Sequence, residues 1–329
     1  MKKLAVLLAA YNGERYIAQQ LDSLLNQTFQ DFSLYIHDDG SEDGTLLILQ
    51  DYARRYPGQI HLLDYAPVHG AKDNFLSLLR QVEAEYYMFC DEDDYWLPEK
   101  IQLSMERMKE TERQEKDVPC VVFSDMSVAD ASLQVIHPSY LQYRKKDPKN
   151  LTLKALLVEN TAAGCTMLYN RALAELAVLY TEGDHIFMHD WWLMLIAAAV
   201  GRIGWIDKPL LLYRQHGDNI VGARTGKVSW LNRIIKNVLR GRQLEASREG
   251  IFYQRSMAAE LEGILNQLEA SSEKDRFEKV LTACSSAERK LLQELAHIES
   301  RPRRRRIYFY WKNRLLKRDG KNIWKLLLV

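Results

Sequence analysis

The first ninety residues alternate apolar runs of strand length with segments of helical spacing, and that alternation constrains the fold more than any other feature. Residues 4–10 form an unbroken apolar run, as do residues 86–90, and residues 32–37 and 60–65 read as the second and third strands between them. Between them, residues 14–26 place Tyr16, Ile17, Leu21, Leu24 and Leu25 on one helical face. Residues 45–55 read as a helix closed by Pro57-Gly58, and residues 73–82 as a third. Pro98 stands near the first turn of a fourth, which runs to Lys109. Unbroken apolar strands are buried on both faces, so helices must cover both sides of the sheet. The expected fold class is α/β: a Rossmann-like, mostly parallel sheet flanked by helices.

Such sheets bind ligands at the carboxyl ends of their strands. Three of the predicted strands end in polar clusters: Tyr11-Asn12, Asp38-Asp39 and Asp91-Glu92-Asp93-Asp94. A carboxylate cluster at a strand end offers oxygen ligands to a hard divalent cation, and such cations commonly bridge phosphates. A solvated acidic turn before a helix is the ordinary alternative, and the convergence of three polar strand ends favours the cation. Asp38-Asp39-Gly40-Ser41 reads as a strand end whose carboxylate accepts hydrogen bonds from a base or ribose. Ser41 or Asp43 can also cap the following helix. The segment from Asp39 imitates a calcium loop, but its twelfth position is Gln50 where a bidentate Glu is required, which excludes that reading.

Further along, residues 121–124 and 205–212 read as strands, residues 191–200 as a buried helix and residues 139–150 as a mobile loop. The longest apolar run, residues 191–200, is about half of the roughly 20 residues a spanning helix needs. The short apolar stretch after Lys2-Lys3 reads as a first buried strand and not as a signal peptide. Four widely spaced cysteines without a CxxC argue against a disulfide framework and fit a reducing cytosol. From about residue 226 the pattern is helical, which divides the chain into residues 1–225, carrying the chemistry, and a helical, basic region, 226–329.

Net charge is +1 over 329 residues, but residues 301–329 hold eleven Lys and Arg against one acid, Asp319. That tail is +10, which leaves −9 on the remainder. Trp230, Ile234, Ile235, Val238 and Leu239 interleave with Lys and Arg at helical spacing, and Trp311 and Trp324 do the same in the tail. Aromatics among basic residues fit an anionic membrane surface. No nucleic-acid motif accompanies the charge, so nucleic acid is not an expected partner. A helical bundle packed on the first domain, with a charged outer face, is the alternative.

Six ordered motifs resemble glycosyltransferase family 2, whose fold is GT-A. They are Leu8-Ala9-Ala10-Tyr11-Asn12-Gly13, Leu24-Leu25-Asn26-Gln27-Thr28, Asp38 to Thr45, Asp91-Glu92-Asp93-Asp94-Tyr95-Trp96, His189-Asp190-Trp191-Trp192 and Tyr213-Arg214-Gln215-His216-Gly217-Asp218-Asn219. Together they span about residues 1–222, and the fuller pattern is similar to bacterial rhamnosyltransferases of surface polysaccharide synthesis. The resemblance implies a metal-dependent inverting transfer from a nucleotide sugar, dTDP-rhamnose or a UDP-hexose, to a saccharide or lipid-linked saccharide. It implies a peripheral location on the inner face of the plasma membrane.

The same resemblance supplies the residue roles. Asp190 is the expected base for the acceptor hydroxyl. Asp93 and His216 are the expected ligands of Mn2+ or Mg2+, with Asp94 a weaker candidate. Asp91 is expected to reach the ribose or a metal-bound water. Ala10, Tyr11, Asn12 and Asp39 would line the nucleotide site, Gly164, Cys165 and Thr166 would flank the donor sugar, and Arg214 would neutralise phosphate. Asn219 is read as a loop brace. Relatives carry Ala-Arg-Asn after a glycine at the third helix, and here Gly70-Ala71-Lys72-Asp73-Asn74 puts Lys72 in the arginine's place, toward the base pocket. The rival classes are a nucleotidyltransferase, which would show a Gly-rich phosphate loop that residues 4–16 lack, and a non-catalytic assembly protein, against which the intact Asp93 and Asp190 argue.

Overall fold

The structure is a computed structural model that describes residues 2–113, 118–181, 183–216, 232–272 and 274–315. The first half alternates as expected: β1 (Lys2–Ala10), α1 (Ile17–Leu25), β2 (Phe32–Asp38), α2 (Thr45–Arg55), β3 (Ile60–Leu62), α3 (Ala71–Gln81) and β4 (Ala84–Asp91). The middle contains β5 (Tyr95–Trp96), α4 (Lys100–Glu112), β6 (Cys120–Ala129), β7 (Val135–His137), α5 (Tyr140–Arg144) and α6 (Leu153–Val158). It continues with β8 (Met167–Asn170), α7 (Arg171–Ala177), α8 (His189–Val200) and β9 (Arg202–Arg214). The helical region comprises α9 (Asn232–Ala270), α10 (Glu278–Ala283), α11 (Ser286–Ala296) and α12 (Arg303–Asn313).

The strands join one sheet in the order β3-β2-β1-β4-β8-β6-β9-β5, with β7 paired outside that path to β6. Only β5, β7 and β8 run against the others. The parallel half is buried on both faces: Leu4 to Leu8 are fully enclosed, as are Met88, Phe89 and Cys90 of β4. This is why these strands are unbroken apolar runs and do not alternate. Helix α8 is equally enclosed, with Trp192 through Ala197 almost inaccessible, so it lies in the core although its first turn reaches a cleft.

One local expectation is corrected, and one strand is added. Residues 139–150 are not a mobile loop at their start. Ser139 accepts a hydrogen bond from the Gln142 N–H and caps the short helix α5, whose Tyr140 and Leu141 are buried. Lys145, at φ 55, ends it. The segment after Gly164-Cys165-Thr166 enters strand β8 before it reaches a helix, and β8 bridges β4 and β6 antiparallel to both. A four-residue buried strand has too few residues to show a period.

The region after residue 232 is helical where it is described. Leu261, Leu265 and Leu268 of α9 and Leu292 and Leu295 of α11 are all buried. A reciprocal Ser285–Glu288 capping box starts α11. The expected boundary near residue 225, Asn219, and the tail beyond Leu315 with Trp324 lie outside the described residues. Among the described residues, no helix is long and apolar enough to cross a membrane.

Candidate active site

Register places the site. Ala10 of β1 pairs with Asp38 of β2, and Ala9 pairs with Asp91 of β4. Three parallel strands therefore stop at one level, and a cavity of about 980 Å3 opens beyond them. Ala10, Tyr11, Asn12, Asp39, Asp91 and Asp93 line it together with Gly164, Cys165 and Asp190. His216 closes one edge.

The polar turns after β1 and β2 build each other. Asn12 adopts φ 51, a conformation that Asn tolerates better than most residues. Its N–H donates to Ser41 Oγ (2.9 Å), and its side-chain oxygen accepts from the Glu42 N–H (2.8 Å). The Gly13 N–H donates to Thr45 Oγ1 (2.8 Å). Asp39, nearly inaccessible, accepts three backbone bonds, from the N–H groups of Val68 (2.7 Å), His69 (2.9 Å) and Gly70 (2.7 Å). Most of its acceptor capacity is thus spent on a loop whose His69 and Gly70 line the cavity. His69 and Gly70 hold positive φ there (59° and 138°).

The acidic turn after β4 splits into two layers. Asp91 and Asp93 face the cavity. Asp94 lies behind them, fully buried, with one oxygen accepting from the Arg214 N–H (3.2 Å) and the other without a partner. Burial first, and then the charges of Asp93 and Asp190, push Asp91 up to about 7. Asp94 is raised as well, by burial and then by Asp93 and Asp91. Ligand atoms of Asp91, Asp94 and Cys165 lie within 4.8 Å of one another. Beside them, Asp93 Oδ2 is 2.8 Å from His216 Nε2. Crowded carboxylates that raise one another, with an orphaned buried oxygen among them, are a donor set that a dication would relieve. The residues fit Mn2+ or Mg2+, hard ions that prefer oxygen, better than a soft metal.

Arg214 is buried and is not among the residues that line the cavity. Its guanidinium donates to the carbonyls of Asp93 (2.6 Å) and Ala131 (2.7 Å) and to Gln19 Oε1 (2.9 Å). In this arrangement it fixes the acidic turn from behind.

Asp190 is supplied by a helix. It lies in the first turn of α8, whose N-cap is Met188. Asp190 is therefore not the cap, although the helix N-terminus still favours its negative charge. Its carboxylate accepts from the N–H groups of Trp191 (2.6 Å) and Gly164 (3.2 Å). Burial outweighs those bonds and the nearby Lys146 charge, and holds the carboxyl at about 6. Gly164 is required by close approach: a Cβ there would stand 2.6 Å from His189 Nε2. His189 is enclosed by Phe75 and Phe89, and burial drives it down to about 3, so it is a neutral ring at working pH.

Like Arg214, two further predicted site residues stand off the cavity wall. Thr166 is buried and donates to the Ala163 carbonyl (2.6 Å). Lys72 donates to the Gly183 carbonyl (2.8 Å) and pairs with Asp73. Lys146, within the segment read from sequence as a mobile loop, lines the cavity and is anchored to the Asn160 carbonyl. Its signal was the basic triplet Arg144-Lys145-Lys146, which carries no indication of direction.

A family model described as glycosyl transferase family 2 matches residues 5–177. The dTDP-rhamnosyl transferase RfbG of Shigella flexneri is 31% identical over 226 residues, which cover 66% of this chain and 74% of that protein. Among solved structures, S. aureus TarS 1-349 is similar with a TM-score of 0.52 at 18% identity, over 95% of this chain and 87% of that one. Its complex with UDP-GlcNAc gives the same TM-score at 19% identity, over 95% and 88%. These two likenesses concern the fold, and they bear out the expected GT-A architecture.

Proposed function

The chain belongs to glycosyl transferase family 2, and on that premise we propose that this glycosyltransferase moves L-rhamnose from dTDP-rhamnose to a growing cell-surface polysaccharide. One observation carries the chemistry: Asp190, at about 6, lines the same cavity as Asp91 and Asp93. A carboxylate at about 6 is ionised at neutral pH yet basic enough to take a proton in a transition state. Asp190 accepts the proton of the acceptor hydroxyl as that oxygen attacks the anomeric carbon. The bond from that carbon to the diphosphate breaks, and its electron pair leaves with dTDP. One displacement inverts the centre, so a β-L-rhamnosyl nucleotide yields an α-L-rhamnoside.

Asp91 and Asp93, with His216, would hold Mn2+ or Mg2+. When bound, the cation offsets the charge that develops on the departing diphosphate. The choice of rhamnose rests on the 31% identity to a protein named as a dTDP-rhamnosyl transferase.

The acceptor is a lipid-linked saccharide at the inner face of the plasma membrane. Support comes from α12, where Arg304, Arg305, Tyr308, Trp311 and Lys312 are all exposed. Spacing of three and four residues puts them on one outward face. Tyr308 and Trp311 are 58% and 66% accessible, unusual values for aromatic side chains, and amphipathic rings among cations suit a lipid interface.

A donor panel tests the reading. Thermal shift with Mn2+, followed by hydrolysis assays, should single out dTDP-rhamnose over UDP-glucose, UDP-galactose and UDP-N-acetylglucosamine. Selective turnover of a UDP-sugar would contradict the donor, and turnover of none would contradict the function.

A further inference from the structure

The segment that leads into Asp190 is held by a helix from the far end of the chain. Glu260 of α9 is almost inaccessible. Its carboxylate accepts from the Thr181 N–H (2.9 Å), from Thr181 Oγ1 (2.9 Å) and from His185 Nδ1 (2.8 Å). About two helical turns earlier, Tyr253 packs edge-on against Phe187 with ring centroids 4.8 Å apart. From the opposite side, Lys72 of α3 donates to the Gly183 carbonyl (2.8 Å). Phe187 and Met188 line the catalytic cavity, and His189 begins α8. Nothing in the chemistry of residues 181–188 themselves requires a buried carboxylate 75 residues away, yet one is there with its hydrogen bonds made.

We propose that Glu260 is a positioning residue for the transfer reaction: through Thr181 and His185 it clamps residues 183–188 and thereby sets the orientation of Asp190 toward the acceptor. The helical region is on this account a working part of the catalytic centre and not an appended module. The geometry explains why a carboxylate serves here. Two loop donors on different residues converge on two oxygens, so the loop is fixed in rotation as well as in distance. Catalysis by a positioned base is sensitive to misplacement of about 1 Å, which can cost on the order of a hundredfold in rate. Lys72, which stands where the sequence pattern pointed to the base pocket, acts in this clamp as the second anchor of the same loop.

The proposal rests on Asp190 as the base, and its test separates the two. In the full-length chain, Glu260→Ala should raise amide hydrogen exchange in residues 183–190 by about tenfold while peptides of β1 and β4 keep their protection. With dTDP-rhamnose, kcat for hydrolysis should fall by about tenfold or more and donor KM should stay within about twofold. Glu260→Gln, which keeps an acceptor oxygen, should recover part of both effects. His185→Ala strips the loop's side of the clamp without touching α9, and should reproduce the kcat loss if Glu260→Ala does not fold. Wild-type kcat together with wild-type exchange in residues 183–190 would overturn the clamp. A fall in donor affinity equal to the fall in kcat would also overturn it, because a misplaced base leaves donor binding alone. If the wild-type protein hydrolyses no donor, the proposed function fails, and exchange in residues 183–190 still decides whether Glu260 holds the loop.

Discussion

Asp190→Asn should remove turnover and, above pH 6, make the protein more stable. The carboxyl is raised from 3.8 to about 6, chiefly by burial. A group whose folded value is raised contributes stability that is fully present below its unfolded value and is lost as pH rises through the folded one. Here the window is from about pH 4 to about pH 6. At about 1.4 kcal/mol per unit, the two-unit shift makes ionised Asp190 a cost of about 3 kcal/mol at pH 8. Asparagine has no charge to bury, but it offers one acceptor oxygen where the carboxylate uses two, for the N–H groups of Trp191 and Gly164. A lost bond of that kind costs about 1 kcal/mol. The variant should therefore gain about 2 kcal/mol at pH 8 and lose about 1 kcal/mol at pH 3.5, where the wild-type carboxyl is already protonated. Urea unfolding at the two pH values, with chelator and without nucleotide, measures both numbers. The same variant should bind dTDP with Mn2+ as the wild type does and lose turnover by a factor of at least about a hundred, the range of general-base catalysis. Equal destabilisation at both pH values would refute the burial argument, and normal turnover would refute the base.

The wild-type rate should drop about tenfold per pH unit below about pH 6, as Asp190 takes up its proton; a flat profile between pH 4 and 6 would exclude it as the titrating base. Asp93→Ala should abolish the difference in dTDP affinity between Mn2+ and chelator by calorimetry, because Asp93 lines the cavity beside Asp91 and His216; an intact difference would remove Asp93 from the cation site. Gly164→Ala should lower kcat by about tenfold or more, since its Cβ would meet His189 at 2.6 Å and displace the N–H that orients Asp190. Replacing Arg304 and Arg305 with Glu should reduce co-sedimentation with phosphatidylglycerol vesicles several-fold and leave the weaker binding to phosphatidylcholine unchanged; equal binding to the anionic vesicles would rule out this face.

The parallel half of the sheet and the position of the cleft were legible because burial on both faces forces a run such as Leu4 to Leu8 to be continuously apolar, and because strand ends are marked by a sudden change to Tyr11-Asn12 or Asp91. Hydrogen-bond destinations were not legible. Asp39 and Asp91 look alike in sequence as carboxylates at strand ends, yet three backbone N–H groups occupy Asp39, whereas Asp91 faces the cavity. Arg214 was expected at the phosphate and instead braces the carbonyl of Asp93, because β9 delivers it behind the acidic turn. Lys146 was hidden by its own context, a basic triplet that reads as a solvated loop until α5 folds and turns the chain into the cavity. Glu260 could not be found at all, since a single acidic residue in a long amphipathic helix has no sequence mark of being buried.

The most direct test of the central claim is the configuration of the first product. Proton NMR during hydrolysis of dTDP-rhamnose with Mn2+ should show α-L-rhamnose appearing before mutarotation, as required if a water activated by Asp190 displaces the diphosphate in one step. Initial formation of the β anomer would contradict the single displacement and with it the role assigned to Asp190.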